Sequence, residues 1–111
     1  MKTLQRTTVG YKNNRVELSK MKSGRYYISN GCEPLGFADS YLEANEIYEN
    51  KVRAFKAKRT RELNKLRAAV IRDFDSIDQE LLQETLIKDF CMREESAIEF
   101  YNNICRAVYK R

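Results

Sequence analysis

Arginine, aromatic and amide side chains sit close together at two places in this chain, and that combination suits the capture of a small phosphate-bearing nucleotide. Arginine grips phosphate oxygens through parallel N–H donors, an aromatic ring stacks on a base, and side-chain amides bond ribose hydroxyls. The stretch Phe100-Tyr-Asn-Asn-Ile-Cys-Arg106 offers all three groups within two helical turns. Arg25, flanked by Gly24 and the pair Tyr26-Tyr27, offers a second set on a predicted strand. A plainer role stands beside each. Phe100 and Tyr101 also suit a core or an interface, and Arg106 suits the C-terminal end of a helix dipole.

The residue types narrow the reaction chemistry. The chain has no histidine, which removes the usual general base, the Ser–His and Cys–His nucleophile pairs, and the commonest metal ligand. Asp73, Asp75 and Asp78 are close enough in sequence for paired-carboxylate hydrolysis, yet aspartates just ahead of a helix serve as caps. Cys32, Cys91 and Cys105 form neither a C-x-x-C pair nor a metal-ligand spacing, and read as ordinary thiols of a reducing compartment. Neither a Walker loop nor G-x-G-x-x-G is present. The expectation is a binding protein, not an enzyme, with no metal and no cofactor.

At 111 residues, 1–111 is expected to be a single domain with a modest core, near the size where association adds stability. The 42% hydrophobic and 11% aromatic content suits folding, and the 33% charged content suits solubility. No apolar run approaches the roughly 20 residues that span a bilayer. The start, Met1-Lys2-Thr3-Leu4-Gln5-Arg6, lacks the apolar stretch of a signal peptide. A cytoplasmic location without a membrane partner is expected.

All four glycines (Gly10, Gly24, Gly31, Gly36) and the one proline, Pro34, lie in the first 36 residues. This divides the chain into a turn-rich head, 1–37, and a helical tail, 38–111. Alternation predicts three strands in the head. The first covers 3–11, with Val9 and Tyr11 on one face. The second covers 15–20, with Val16 and Leu18 inward and Arg15, Glu17 and Ser19 outward. The third covers 25–30, with Tyr26 and Ile28 inward. Turns at Lys12-Asn13-Asn14 and Met21-Lys22-Ser23-Gly24 join them into an antiparallel meander, and 30–37 reads as a loop. The fold class is therefore α+β, a three-stranded antiparallel sheet followed by long C-terminal helices.

Asp39 or Ser40 can cap the first helix, with Glu43 in its first turn. Leu42, Ala44, Ile47, Tyr48, Val52 and Phe55 recur at helical spacing and can cover the sheet. The period continues through Leu63, Leu66, Val70 and Phe74. Unbroken, a helix over 40–72 runs about 50 Å, against a width of roughly 35 Å for a compact domain of this length. Such a helix must break, pair or oligomerise. A break is predicted at 73–78, where Ser76 with Gln79 fits a capping box and Asp78 adds favourable charge. Ile77, Leu81, Leu82, Leu86 and Phe90 mark the next helix. A further turn near Arg93-Glu94-Glu95 precedes a last stretch carrying Ile98, Tyr101, Ile104, Cys105 and Val108.

Charge divides the tail again. Residues 51–72 hold nine bases against Glu62, and 73–99 hold nine acids against Lys88 and Arg93. A helical hairpin or coiled coil with opposite charges facing satisfies this pattern, within one chain or between copies, so a homo-oligomer is expected. Residues 2–25 of the head are basic too: Lys2, Arg6, Lys12, Arg15, Lys20, Lys22 and Arg25 against Glu17. Basic residues alternating along strands can face phosphates, so a small DNA-binding or regulatory protein using the sheet is the alternative reading. The plainer reading is a solvated cationic face.

The head Arg6-Thr-Thr-Val-Gly-Tyr-Lys-Asn-Asn-Arg-Val-Glu-Leu-Ser-Lys-Met-Lys-Ser-Gly-Arg-Tyr-Tyr-Ile-Ser29, the Gly36-Phe37 approach to the long helix, and Arg106 near the end together resemble the Thoeris anti-defence family of phage proteins. Those small proteins act as sponges for cyclic ADP-ribose isomers. The resemblance implies a non-enzymatic binder in the host-cell cytoplasm. It would capture an intact cyclic nucleotide signal in pockets built where subunits meet, and so keep a bacterial defence effector inactive. It also implies that Arg25 and Arg106 grip the pyrophosphate. The ring that stacks on adenine falls to Phe90, Phe74 or Tyr101, and Asn102 joins the site on its chemistry.

Overall fold

Alternating apolar residues and a long stretch free of helix breakers account for most of the architecture in the computed structural model, which describes residues 1–109. The fold is α+β. Among the described residues it comprises strands β1 (Lys2–Thr8), β2 (Arg15–Lys20), β3 (Tyr26–Asn30) and β4 (Glu33–Ala38), then helices α1 (Tyr41–Arg72), α2 (Gln79–Asp89) and α3 (Glu94–Tyr109). A single turn of 3-10 helix, Phe74–Ser76, lies between α1 and α2. The sheet is antiparallel throughout, in the order β1-β2-β3-β4. No helix among the described residues is long and apolar enough to cross a membrane.

The sheet thus has four strands where three were expected. β4 occupies the segment read as a loop, and it carries both Pro34 and Gly36. An edge strand tolerates proline, because the missing N–H is not needed on the open side. Pro34 pairs with Ser29 where the β3–β4 register shifts. Gly36 answers a close approach: Ile47 lies 3.4 Å from where a Cβ would stand. The first strand ends at Thr8, earlier than expected. The turn that follows takes its left-handed positions at Gly10 (φ +77) and Lys12 (φ +54), while the asparagines do not. Gly24 takes the left-handed position expected of it.

Close contacts divide the chain into two units. The first comprises Met1–Val9 and Asn13–Lys58, the second Gly10–Lys12 and the chain from Arg59 onward. The border falls inside α1, not between head and tail.

In the first unit Val16, Leu18 and Ile28 are fully buried and pack with Ala38, Ala44 and Tyr48. Ile47, Val52 and Phe55 add to this core from α1, as the period implied. Leu42 does not; it is 80% exposed. Tyr48 also hydrogen-bonds the Thr7 hydroxyl, and Gln5 donates to the Tyr41 hydroxyl at 2.8 Å. Ser40 caps α1, its hydroxyl accepting from the Glu43 amide at 3.2 Å. Asp39, the other cap candidate, pairs with Arg25 instead.

In the second unit Val70, Leu82, Leu86, Phe90, Ala97, Phe100 and Ile104 are buried. The break after α1 falls where the aspartates predict it, but its cap differs. Asp78, not Ser76, caps α2, accepting from the Glu80 and Leu81 amides at 3.0 and 3.2 Å. The Ser76 hydroxyl turns back to the Asp73 carbonyl at 3.1 Å. Asp78→Ala should lower stability by about 1 kcal/mol, read as a lower urea midpoint with an unchanged slope. Between α2 and α3 the chain turns at Cys91 (φ +53), with the Met92 amide returning to the Leu86 carbonyl at 3.2 Å. A side-chain-bearing residue there leaves no mark in the pattern of glycines and prolines.

Within one chain, the opposite charges of the tail do not pair across the helices: among the described residues, no ion pair joins a base of 59–72 to an acid of 79–99. Lys65 pairs with Glu62 on its own helix at 3.5 Å, and Arg72 pairs with its neighbour Asp73 at 3.2 Å. Two further arginines of this stretch, Arg59 and Arg67, contact carbonyls and an aromatic ring.

Candidate functional site

Arg59, Leu63 and Arg67 are spaced four residues apart and so form one stripe along α1. Ser96, Phe100 and Asn103 form a matching stripe on α3. With the Cys91-Met92-Arg93 turn these two stripes line an open cleft of about 610 Å³ within the second unit. Its walls carry three arginines, one buried ring, a hydroxyl and an amide, with Glu99 as the acid among them.

The three arginines have distinct environments. Arg59 is anchored: its Nε donates to the Gly10 carbonyl at 2.8 Å and its Nη2 to the Phe90 carbonyl at 3.2 Å. Its guanidinium also lies 5.9 Å from the centre of the Phe90 ring. Gly10 suits this site twice over, by its positive φ and because Arg59 Nε would stand 3.4 Å from a Cβ. The same loop is tied to the end of α2 by the Lys12 amide, which donates to the Asp89 carbonyl, and by the Cys91 thiol at 3.7 Å from the Lys12 carbonyl. Arg67 lies over Phe100, its guanidinium carbon 5.1 Å from the ring centre, within reach of cation–π attraction. Arg93 is exposed at the turn before α3.

The residues expected at the site fall in several places. Arg25 belongs to the first unit, where its Nε meets Asp39 at 2.9 Å and its guanidinium lies 5.6 Å from the Phe37 ring. Phe90 is 5% exposed and packs against Tyr11 at 5.1 Å between ring centres. It is buried and does not line the cleft, though Arg59, which does, lies beside its ring. Tyr101 stacks on Phe74 at 6.0 Å, and Phe74 in turn meets Tyr109 edge-on. A hydrogen bond with Cys105 raises the Tyr101 phenol above its ordinary pKa of 10.0. Neither Tyr101 nor Phe74 lines the cleft. Asn102 is exposed on α3 and does not line it either, whereas its neighbour Asn103 does. Arg106 donates to Asn103 at 3.0 Å, which places it one side chain from the cleft wall.

Phe100 and Asn103, from the stretch singled out for its chemistry, are thus in the cleft. Arg59, Arg67, Arg93 and Ser96 were not anticipated. Their signal was present as the i, i+4, i+8 recurrence in α1 and the i, i+3, i+7, i+10 recurrence Arg93, Ser96, Phe100, Asn103. Of the aspartates, Asp78 is a cap and Asp73 an arginine partner. Among the described residues no group of three or more Cys, Asp or Glu side chains is placed to hold a metal ion.

The chain matches no family model, and comparison with curated proteins and with solved structures gives no match.

Proposed function

We propose that the protein is a non-enzymatic binder that captures a small phosphate-bearing nucleotide in the cleft of the second unit. The observation that carries this reading is the pairing of Arg67 and Arg93 with Asn103 and Ser96 along one open cleft. Arg67, backed by Phe100, is held ready to donate to a phosphate, and Arg93 adds a second charge. Asn103 and Ser96 supply hydrogen bonds of the kind ribose hydroxyls need. Phe100 is 7% exposed beneath Arg67, so the guanidinium plane is the surface a base would stack upon.

The resemblance to the anti-defence sponges names the ligand: a cyclic ADP-ribose isomer, held intact so that a bacterial defence effector stays inactive. It also brings in Arg106, which adjoins the cleft through Asn103. Arg25 does not line the cleft; its part in the site follows from the self-association that the resemblance implies.

Calorimetric titration with cyclic ADP-ribose isomers tests the reading. The wild-type chain should bind and return the ligand unchanged after heat denaturation. Arg93→Ala and Arg67→Ala should each weaken binding about ten-fold, the worth of one charge-assisted hydrogen bond. Recovery of cleaved ligand would replace sequestration with catalysis. Unchanged affinity in both variants would move the site out of this cleft.

A further inference from the structure

The face of the sheet turned away from α1 holds a second constellation. The β3–β4 pairing sets Tyr27 opposite Phe37, and their rings lie 5.0 Å apart with a 35° tilt. Phe37 is 47% exposed, so about half of its surface is open to solvent on this face. Arg25 backs its ring at 5.6 Å. Across the sheet, Arg6 and Arg15 both contact Glu17 Oε1, at 3.0 and 2.9 Å. A guanidinium has five N–H donors, so two that share one carboxylate oxygen keep most of them for another anion. Ser19 and Ser29, on the same face between these groups, are only 3% exposed. Their small side chains keep the middle of the face low.

Two adjoining rings flanked by arginines on one sheet face match what unpaired bases and their phosphates require. Base–aromatic stacking tolerates any sequence, because every base presents a π-face. Duplex DNA hides those faces, and a groove reader would carry polar side chains where Tyr27 and Phe37 stand. We infer that this face is a binding platform for single-stranded nucleic acid, with Phe37 and Tyr27 stacking bases and Arg6, Arg15 and Arg25 meeting phosphates. The occupant is set by charge: three arginines against Glu17 and Asp39, with exposed Lys22 on the β2–β3 turn, favour a polyanion over a second copy of this cationic head. The inference is independent of the nucleotide cleft, which shares none of these residues.

Fluorescence anisotropy with labelled oligothymidine and oligouridine of roughly 12 nucleotides, and with a duplex of the same length, tests it. Single strands should bind, with a slope of log K against log salt near −2 for three phosphate contacts. Phe37→Ala should weaken binding about ten-fold and Phe37→Tyr should retain it. Because the ring is half out of the fold, the alanine variant should keep its circular dichroism and melting midpoint. The deoxy and ribo arms separate DNA from RNA as the strand preferred. Absence of binding at low salt, tighter binding of duplex, or equal affinity in Phe37→Ala overturns the inference. So does a Phe37→Ala variant whose only change is loss of a dimer in sedimentation.

Discussion

Ile28→Ala should lower stability by about 3 kcal/mol, the largest single loss expected in the first unit. Ile28 is fully buried in the middle of β3, between Leu18 on β2 and Gly36 on β4. It therefore supports both neighbouring strands and meets the α1 side chains packed on the sheet. Gly36 has no side chain to move into the void, and on the other side Ile28 lies in the regular β2–β3 pairing opposite the fully buried Leu18. Collapse around the cavity is restricted, which puts the cost well inside the usual range for such truncations. A domain of this kind has roughly 5–15 kcal/mol in total, so the loss is a large share. Ile28→Val, which removes one methylene, should cost only about 1 kcal/mol. Urea unfolding checks both, and equal midpoints for Ile28→Ala and wild type would contradict the packing described.

Arg59→Ala should have the second largest effect, about 2–3 kcal/mol. Its guanidinium serves two carbonyls from separate parts of the chain, Gly10 and Phe90, and lies by the Phe90 ring. Truncation leaves both acceptors without this donor and frees the loop whose Lys12 amide bonds Asp89. Arg59→Lys should recover little, since an ammonium is a point charge and does not reproduce a planar fork aimed at two oxygens. Amide exchange gives a local readout: the Lys12 amide should exchange faster in both variants. Unaltered exchange there, with unaltered stability, would remove Arg59 as the anchor of that loop.

The strands at β2 and β3 were legible because each alternates cleanly, and Val16, Leu18 and Ile28 are all buried as their spacing requires. The long helix was legible because 41–72 contains no glycine or proline. The fourth strand was not. Glu-Pro-Leu-Gly-Phe-Ala has two residues that ordinarily end strands, and its pairing depends on being an edge. The choice of Asp78 over Ser76 as a cap follows from where the 3-10 turn ends, which no local pattern states. For the site, residue chemistry pointed to the segment from Phe100 to Arg106 and reached Phe100 and Asn103. It did not assemble the cleft, since that needs Arg59, Arg67 and Arg93 beside a turn made by Cys91 in a left-handed conformation. For Phe90 and Tyr101 the plainer packing role is the one the structure shows, with Phe90 against Tyr11 and Tyr101 stacked on Phe74.

The second unit is discontinuous in sequence, because Gly10–Lys12 from the β1–β2 turn belongs to it. Tyr11, the ring partner of Phe90, comes from that tripeptide. Neither unit is therefore a cassette that recombination can lift out whole. A crossover within α1 would pass on the helices without Tyr11, and a transplanted head would carry that residue without its partner. An exchange of helices that keeps this ring contact must bring the β1–β2 turn with it.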